Sequence, residues 1–298
     1  MPDTVLMAFA PHRRVVVFGV DGVRTDTLAA AHTPWIDAIA AEGLYAEFEL
    51  NDLAPTVSGP GWSTVATGVW ADKHRIDGNV FADHALEEYP DFLSRLRAAW
   101  PEIRTYAAAD WAPLVSTDSL GPVFATPHRA LRVDAAGGGE KAGPFGHDYD
   151  ATGADIAADA ARVLGGSDYH ASFVYFGEPD EVCHYQGVCP EYTAAVERAD
   201  QRIGTVVEAI RARPTYAAEQ WTFIVVTDHG HVDEGGHGGR DPWEAQAWIA
   251  ASGPAVPQGK VLTEHVDIAP SVFRALGLDV DESWGLEGVA FGERDGVR

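Results

Sequence analysis

Three short runs of β-branched and aromatic residues constrain this chain most: VVVFGV at 15–20, ASFVYF at 171–176 and TFIVVT at 222–227. Each is too continuous for a half-exposed strand and too short for a helix. Each is therefore read as a strand buried on both faces, as in the middle of a parallel sheet. Each also runs within a few residues into an aspartate, namely Asp21, Asp180 and Asp228. One aspartate at a strand end is an ordinary turn residue. Three, two of them followed by histidine (His184, His229), are more than turn chemistry requires. A parallel sheet places the carboxyl ends of its strands along one edge, where α/β proteins assemble reaction centres.

Between these runs the chain alternates helix and strand patterns. Thr33 and Pro34 open a helix that Gly43 stops at Glu42. Amphipathic or Ala-rich helices are expected over 92–100, 150–164, 192–212 and 268–276, with further strands over 44–50, 103–108 and 246–251. The loop PTVSGPGWST (55–64) carries Ser58 in a Pro/Gly turn, with a short helix expected from Ser63 to Gly68. The alternation predicts an α/β fold with three α/β/α layers around a mostly parallel central sheet. Residues 1–298 are read as one domain with a lid or loop insert around 83–150. Its glycine-rich stretch AAGGGEKAGPFGH (135–147) reads as an exposed loop or small lid.

Charge narrows the function classes. The 45 acidic residues against 21 basic ones leave a formal charge of -24, which repels nucleic-acid backbones and anionic membranes and excludes a basic-groove binder. Lys and Arg are also too sparse to neutralise an anionic substrate, which points to metal ions. The N-terminus lacks the basic-then-apolar order of a secretory signal, and no apolar run approaches about 18 residues. A soluble cytoplasmic protein is expected, with Cys183 and Cys189 as reduced thiols.

The remaining chemistry-bearing residues complete a set. Asp180 and His184 are four apart, so one helical turn puts both on one face. Asp228 and His229 are adjacent and converge only if the strand end turns, which the glycines of DHGHVDEGGHGGR (228–240) permit. His237 follows in the same segment. Carboxylate oxygen with imidazole nitrogen suits zinc and other first-row metals better than calcium. A metal would also activate the Ser58 hydroxyl, a poor nucleophile by itself.

In this order (strand-end Asp, nucleophile loop, D-x-x-x-H, D-H-G, later His) the chain resembles the alkaline phosphatase superfamily, most closely its type I phosphodiesterase/nucleotide pyrophosphatase branch. The resemblance runs from about Val15 to Gly277 and implies two divalent metals, usually zinc, with manganese or iron as alternatives. It implies that Asp180, His184 and His237 hold one metal. Asp21, Asp228 and His229 would hold the other, with Ser58 as nucleophile bridging or coordinating it, and Asn79 would bind a phosphoryl oxygen. The implied activity is hydrolysis of a small anionic phosphoester through a phosphoserine. The alternatives are a phosphomonoesterase and, below it, a sulfatase, phosphonate hydrolase, phosphomutase or non-catalytic metal-binding module. The chain departs from the branch in having Ser58-Gly59-Pro60-Gly61-Trp62 where Thr-Phe-Pro-Asn-His is usual, and in placing His237 only eight residues after His229.

Other residues read more plainly. His231 matches no required position and is left as a supporting donor or proton shuttle. His265 competes with His237 as third ligand, His74 reads as structural, and Glu178 as a neighbour supporting Asp180. Trp62, Trp70, Phe81 and Trp111 read as core, with Trp62 and Trp111 also candidates for a leaving-group pocket.

Overall fold

The computed structural model describes residues 10–116, 121–125, 127, 129–132 and 148–294. The glycine-rich stretch at 135–147 lies outside the described residues. Seven strands form one sheet: β1 (Arg13–Val20), β2 (Leu44–Glu49), β3 (Thr105–Ala109), β4 (Arg129–Arg132), β5 (Ala171–Phe176), β6 (Gln220–Val226) and β7 (Gln246–Ser252). Their spatial order is β2-β7-β6-β1-β5-β3-β4. All neighbours pair in parallel except β7, which runs antiparallel to both β6 and β2. The three runs read from sequence are the adjacent centre of this sheet.

Alternation along β1 divides the core into two layers. Val15 and Val17 join one apolar cluster, while Val16, Phe18 and Val20 join the other. The described α-helices are α1 (Thr25–Ala30), α2 (Pro34–Glu42), α3 (Ser58–Thr67), α4 (Ala71–His74), α5 (Phe92–Ala99), α6 (Ala112–Val115), α7 (Tyr149–Gly166), α8 (Glu178–Gln186), α9 (Pro190–Arg211) and α10 (Ile268–Ala275). Trp62 of α3, Phe92 of α5 and Phe273 of α10 cover the first face; Ile36 of α2, Ile156 of α7 and Ile203 of α9 cover the second. The result is the expected three-layer arrangement. No described helix is long and apolar enough to cross a membrane.

Two local expectations are corrected. Helix α3 starts at Ser58, five residues before Ser63, although Gly59, Pro60 and Gly61 are poor helix formers. Every residue of α3 is buried, so packing overrides propensity. Thr33 occupies the N-cap of α2, but its side chain makes no capping bond. The amides of Trp35 and Ile36 instead donate to the carboxylate of Asp200, a fully buried residue of α9.

Candidate metal centre

Sheet register delivers the acids to one place. Val20 pairs with Phe176 and Gly19 with Val226, so β1, β5 and β6 end level. Asp21 leaves β1 with its amide donating to the Phe176 carbonyl at 3.1 Å. Asp180 and His184 follow on the first turns of α8, and Asp228 and His229 follow β6 after Thr227. The N-terminus of α3 packs into the gap. A Cβ on Gly61 would come within 2.9 Å of Asp228 Cβ, so the helix reaches this depth only with glycine there.

The first cluster joins Asp21, Asp228, His229 and Ser58. Ser58 Oγ lies 3.5 Å from Asp21 Oδ1 and 3.4 Å from His229 Nε2. His229 Nε2 is also 3.6 Å from Asp21 Oδ1 and 3.3 Å from Asp228 Oδ2. Its other nitrogen, Nδ1, faces the Gly230 carbonyl at 3.0 Å. A carbonyl only accepts, so Nδ1 carries the proton and Nε2 presents a lone pair to the acids. The far oxygen of Asp21 accepts from Trp62 Nε1 at 2.8 Å and from the Tyr175 hydroxyl at 2.5 Å. Those two bonds turn Oδ1 toward Ser58.

The second cluster joins Asp180, His184 and His237. His237 donates Nδ1–H to the Thr56 carbonyl at 2.8 Å, which leaves its Nε2 as a lone pair 2.9 Å from His184 Nε2 and 3.6 Å from Asp180 Oδ1. His184 Nε2 lies 3.5 Å from Asp180 Oδ2. Two imidazole nitrogens at this distance need a proton or a cation between them. His231 also stands beside Asp180, with Nε2 2.9 Å from Oδ1.

These residues fit divalent cations. In each of the trios Asp21/Asp228/His229, Asp180/His184/His237 and Asp180/His229/His231, the possible ligand atoms lie within 4.8 Å of one another. Asp180 Oδ1 and Asp228 Oδ2 are buried without a hydrogen-bond partner, a costly state for oxygen unless something else binds it. Burial, then the neighbouring Asp21, pushes the Asp180 carboxyl up to about 7, and burial and the same neighbour raise Asp228 well above the carboxylate range. Burial lowers His229 and His237, and takes His231 down to about 4. Neutral imidazoles beside crowded, partnerless carboxylates are the donor set that a first-row dication satisfies.

A cavity of about 310 Å³ opens over the clusters, lined by Ser58, Asn79, Asp180, His184 and His237 below and by Trp111, Tyr149, Tyr175, Gly177 and Glu181 around them. Asn79 Oδ1 accepts from the Gly59 amide at 2.8 Å. Lys73 pairs with Glu287, and Arg240 bonds the carbonyls of Leu50 and Asn51. No Lys or Arg lines the cavity among the described residues.

Several sequence expectations resolve differently. Trp62 does not line the cavity: it is fully buried beneath Asp21. Trp111 does line it. Glu178 faces Arg198 and Arg202 of α9 and not Asp180, tying α8 to α9. His265 bonds the Thr227 carbonyl through Nε2 at 2.8 Å and joins none of the three trios. His74 is buried between Thr64 and the Ile76 amide. Tyr175, Thr56, Tyr149 and Glu181 were not foreseen. Tyr175 reads from sequence only as an alternating core position of β5, and Thr56 only as part of a turn.

The sequence profile of the family described as type I phosphodiesterase/nucleotide pyrophosphatase matches residues 15–263. No curated protein matches in sequence. Among solved structures, a 2-O GAG sulfatase is similar over 94% of this chain and 73% of its own, with TM-score 0.70 and 13% identity. A protein in the alkaline phosphatase superfamily from Vibrio parahaemolyticus is similar over 93% of this chain and 71% of its own, with TM-score 0.61 and 14% identity. Murine ectonucleotide pyrophosphatase/phosphodiesterase 5, solved in complex with AMP, is similar over 73% of this chain and 57% of its own, with TM-score 0.51 and 19% identity. At these identities the likeness is one of fold.

Proposed function

The chain belongs to the type I phosphodiesterase/nucleotide pyrophosphatase family, and from that premise we propose that it hydrolyses a small phosphodiester through Ser58 at a pair of divalent metal ions, zinc by donor chemistry. Asp21, Asp228 and His229 would hold one ion beside Ser58, and Asp180, His184 and His237 the other. When bound, such ions supply Lewis acidity that offsets phosphoryl charge and favours the deprotonated hydroxyl. The surroundings of His229 carry the reading. A Ser-His-Asp relay needs its acid on the far imidazole nitrogen, but here that nitrogen meets a main-chain carbonyl. Both carboxylates and the hydroxyl instead crowd the nitrogen with the lone pair. Electron-rich atoms converging on one point need a cation.

The chain's own groups do the rest. Ser58 is the first residue of α3, so Oγ sits at the positive end of a ten-residue helix that favours an arriving anion. Its Oγ–P bond forms as the ester P–O bond opposite opens, the departing alkoxide leaving as the alcohol with the proton lost by Ser58. The serine is left esterified to a phosphoryl group that keeps its other substituent, and water then cleaves the Oγ–P bond. Asn79, with Oδ1 engaged by Gly59, has its NH₂ left to donate to a phosphoryl oxygen. Trp62 and Tyr175 orient Asp21, and Thr56 orients the His237 ring. Trp111, Tyr149 and Glu181 wall the space left for the leaving group.

The cavity's want of cationic side chains among the described residues favours a diester over a monoester, whose charge at neutral pH is about -1.5 to -2 for a phosphoryl group. Sulfatases convert the first residue of a C/S-x-P-x-R element to an aldehyde; the run Ser58-Gly59-Pro60-Gly61-Trp62 keeps the Pro but has Trp in place of the Arg, which weighs against a sulfate ester. The murine relative's complex with AMP supports a small phosphoester in general terms. The test compares kcat/KM on bis-p-nitrophenyl phosphate, p-nitrophenyl phosphate and p-nitrophenyl sulfate, with metal content measured on the same sample. The diester is expected to lead. Failure of a two-metal protein to turn over either phosphate, or full activity in Ser58→Ala, refutes the proposal.

A further inference from the structure

Hydrogen-bond partners sort His229, His231 and His237 around Asp180 into two kinds. His229 and His237 donate Nδ1–H to carbonyls and present a lone pair at Nε2. His231 is wired the opposite way. Its Nδ1 accepts the main-chain N–H of Gly236 at 3.2 Å. An amide only donates, so the neutral ring carries its proton on Nε2. Gly236 has φ +118, a conformation open to glycine, and its carbonyl accepts in turn from the Val232 amide at 3.0 Å. The turn thus locks one tautomer on His231, and the next residue along, His237, holds the other.

The protonated Nε2 of His231 stands 2.9 Å from Asp180 Oδ1. At this distance the pair does not meet hydrogen-bond geometry, and neither atom has a hydrogen-bond partner among the described residues of this structure. Room for it is made by Gly22, at φ +65: a Cβ there would come within 2.5 Å of His231 Nε2 and 2.9 Å of Asp180 Oδ1. The ring itself cannot drift. It is fully buried, edge-on to Tyr192, and its carbonyl accepts from Arg24 at 3.2 Å.

We infer that His231 is a positioning residue and not a metal ligand: its Nε2–H faces Asp180 at 2.9 Å and steers the carboxylate that is offered to a cation with His184 and His237. This deepens the two-metal reading above and rests on it. Ligation through His231 Nε2 would require the ring to lose its remaining proton or Gly236 to lose its acceptor. The trio Asp180/His229/His231 is therefore a proximity and not a coordination set.

The direct test needs no substitution. Protein with ¹⁵N-labelled histidine is loaded with ¹¹³Cd and its imidazole nitrogens are observed by NMR. Cadmium coupling is expected at His184, His229 and His237, with none at His231, which keeps its proton on Nε2. Titration of variants with zinc gives a second readout. His231→Leu is expected to bind two ions with one site weakened about 10–100-fold. His231→Gln, which restores an N–H donor, should recover most of that loss, whereas His237→Ala should lose one equivalent. Cadmium coupling at His231, unchanged zinc affinity in His231→Leu, or loss of a whole equivalent by folded His231→Gln overturns the inference alone. Uptake of fewer than two ions by the wild type overturns the two-metal reading and the inference with it.

Discussion

Gly22→Ala tests how tightly the centre is built. The backbone at Gly22 has φ +65, where an L side chain costs about 1–2 kcal/mol. The new methyl would also meet His231 Nε2 at 2.5 Å and Asp180 Cβ and Oδ1 at 2.9 Å. All three are well inside contact distance, and the ring is walled in, so Asp180 must yield by roughly half an ångström or more. Overpacking of this kind costs about 1–3 kcal/mol. The sum, about 2–5 kcal/mol, should lower Tm by about 3–8 °C at this chain length. Displacing Asp180 should also cut kcat/KM by about 10²-fold, the usual effect of a misplacement near 1 Å, and weaken the site shared with His184 and His237. Calorimetry, metal analysis and steady-state kinetics on one preparation read all three. Gly166→Ala is the control, because a Cβ there meets nothing within 4 Å. A folded Gly22→Ala with wild-type metal content and activity would refute the packing argument. A lower Tm with both ions and full activity retained would leave only backbone strain.

Other outcomes follow from the same structure. Ser58→Ala should keep both ions and lose turnover by about 10³-fold or more, read by metal analysis beside kinetics. Asn79→Ala should lower kcat/KM by about 10²-fold with metal content unchanged, as expected for one lost donor to a developing oxyanion. Removing metal with EDTA should lower Tm, since an ion present at 100 times its Kd stabilises by about 2.7 kcal/mol; a Tm indifferent to EDTA argues against specific sites. Glu219 supplies the pH prediction. Burial opposes its charge, but bonds from Arg213, Trp221 and Thr215 and the charge of Arg14 hold the carboxyl down at about 2 against an ordinary 4.5. Stability from this group is full above about pH 4.5 and lost as pH falls toward 2. Urea denaturation should find Glu219→Gln destabilised at pH 7 and nearly matched to wild type at pH 2. An unchanged difference across that range would contradict it.

Legibility followed how local each signal was. Val15–Val20, Ala171–Phe176 and Thr222–Val226 announce themselves because a strand buried on both faces must be apolar at every position. The i, i+4 spacing of Asp180 and His184 survives into α8 because helical periodicity is a property of the segment itself. The start of α3 at Ser58 was hidden, since Gly59, Pro60 and Gly61 argue against a helix locally and only contact with Asp228 and Gly78 explains them. The antiparallel β7 was equally silent: its run QAWIAAS does not record the direction in which it pairs.

By itself the sequence determined which carboxylates and imidazoles follow the strand ends and so gather at one edge, because identity, spacing and strand ends are written along the chain. What each group does there was decided only by tertiary structure. Trp62 reads as core and proves to hold Asp21; Glu178 reads as a neighbour of Asp180 and proves to pair with α9. His229, His231 and His237 are chemically identical in the sequence. A carbonyl at Gly230, an amide at Gly236 and a carbonyl at Thr56 decide which nitrogen of each keeps its proton. A tautomer is set by whichever main-chain group the fold brings to the ring, and for His237 that group lies 181 residues away in the chain.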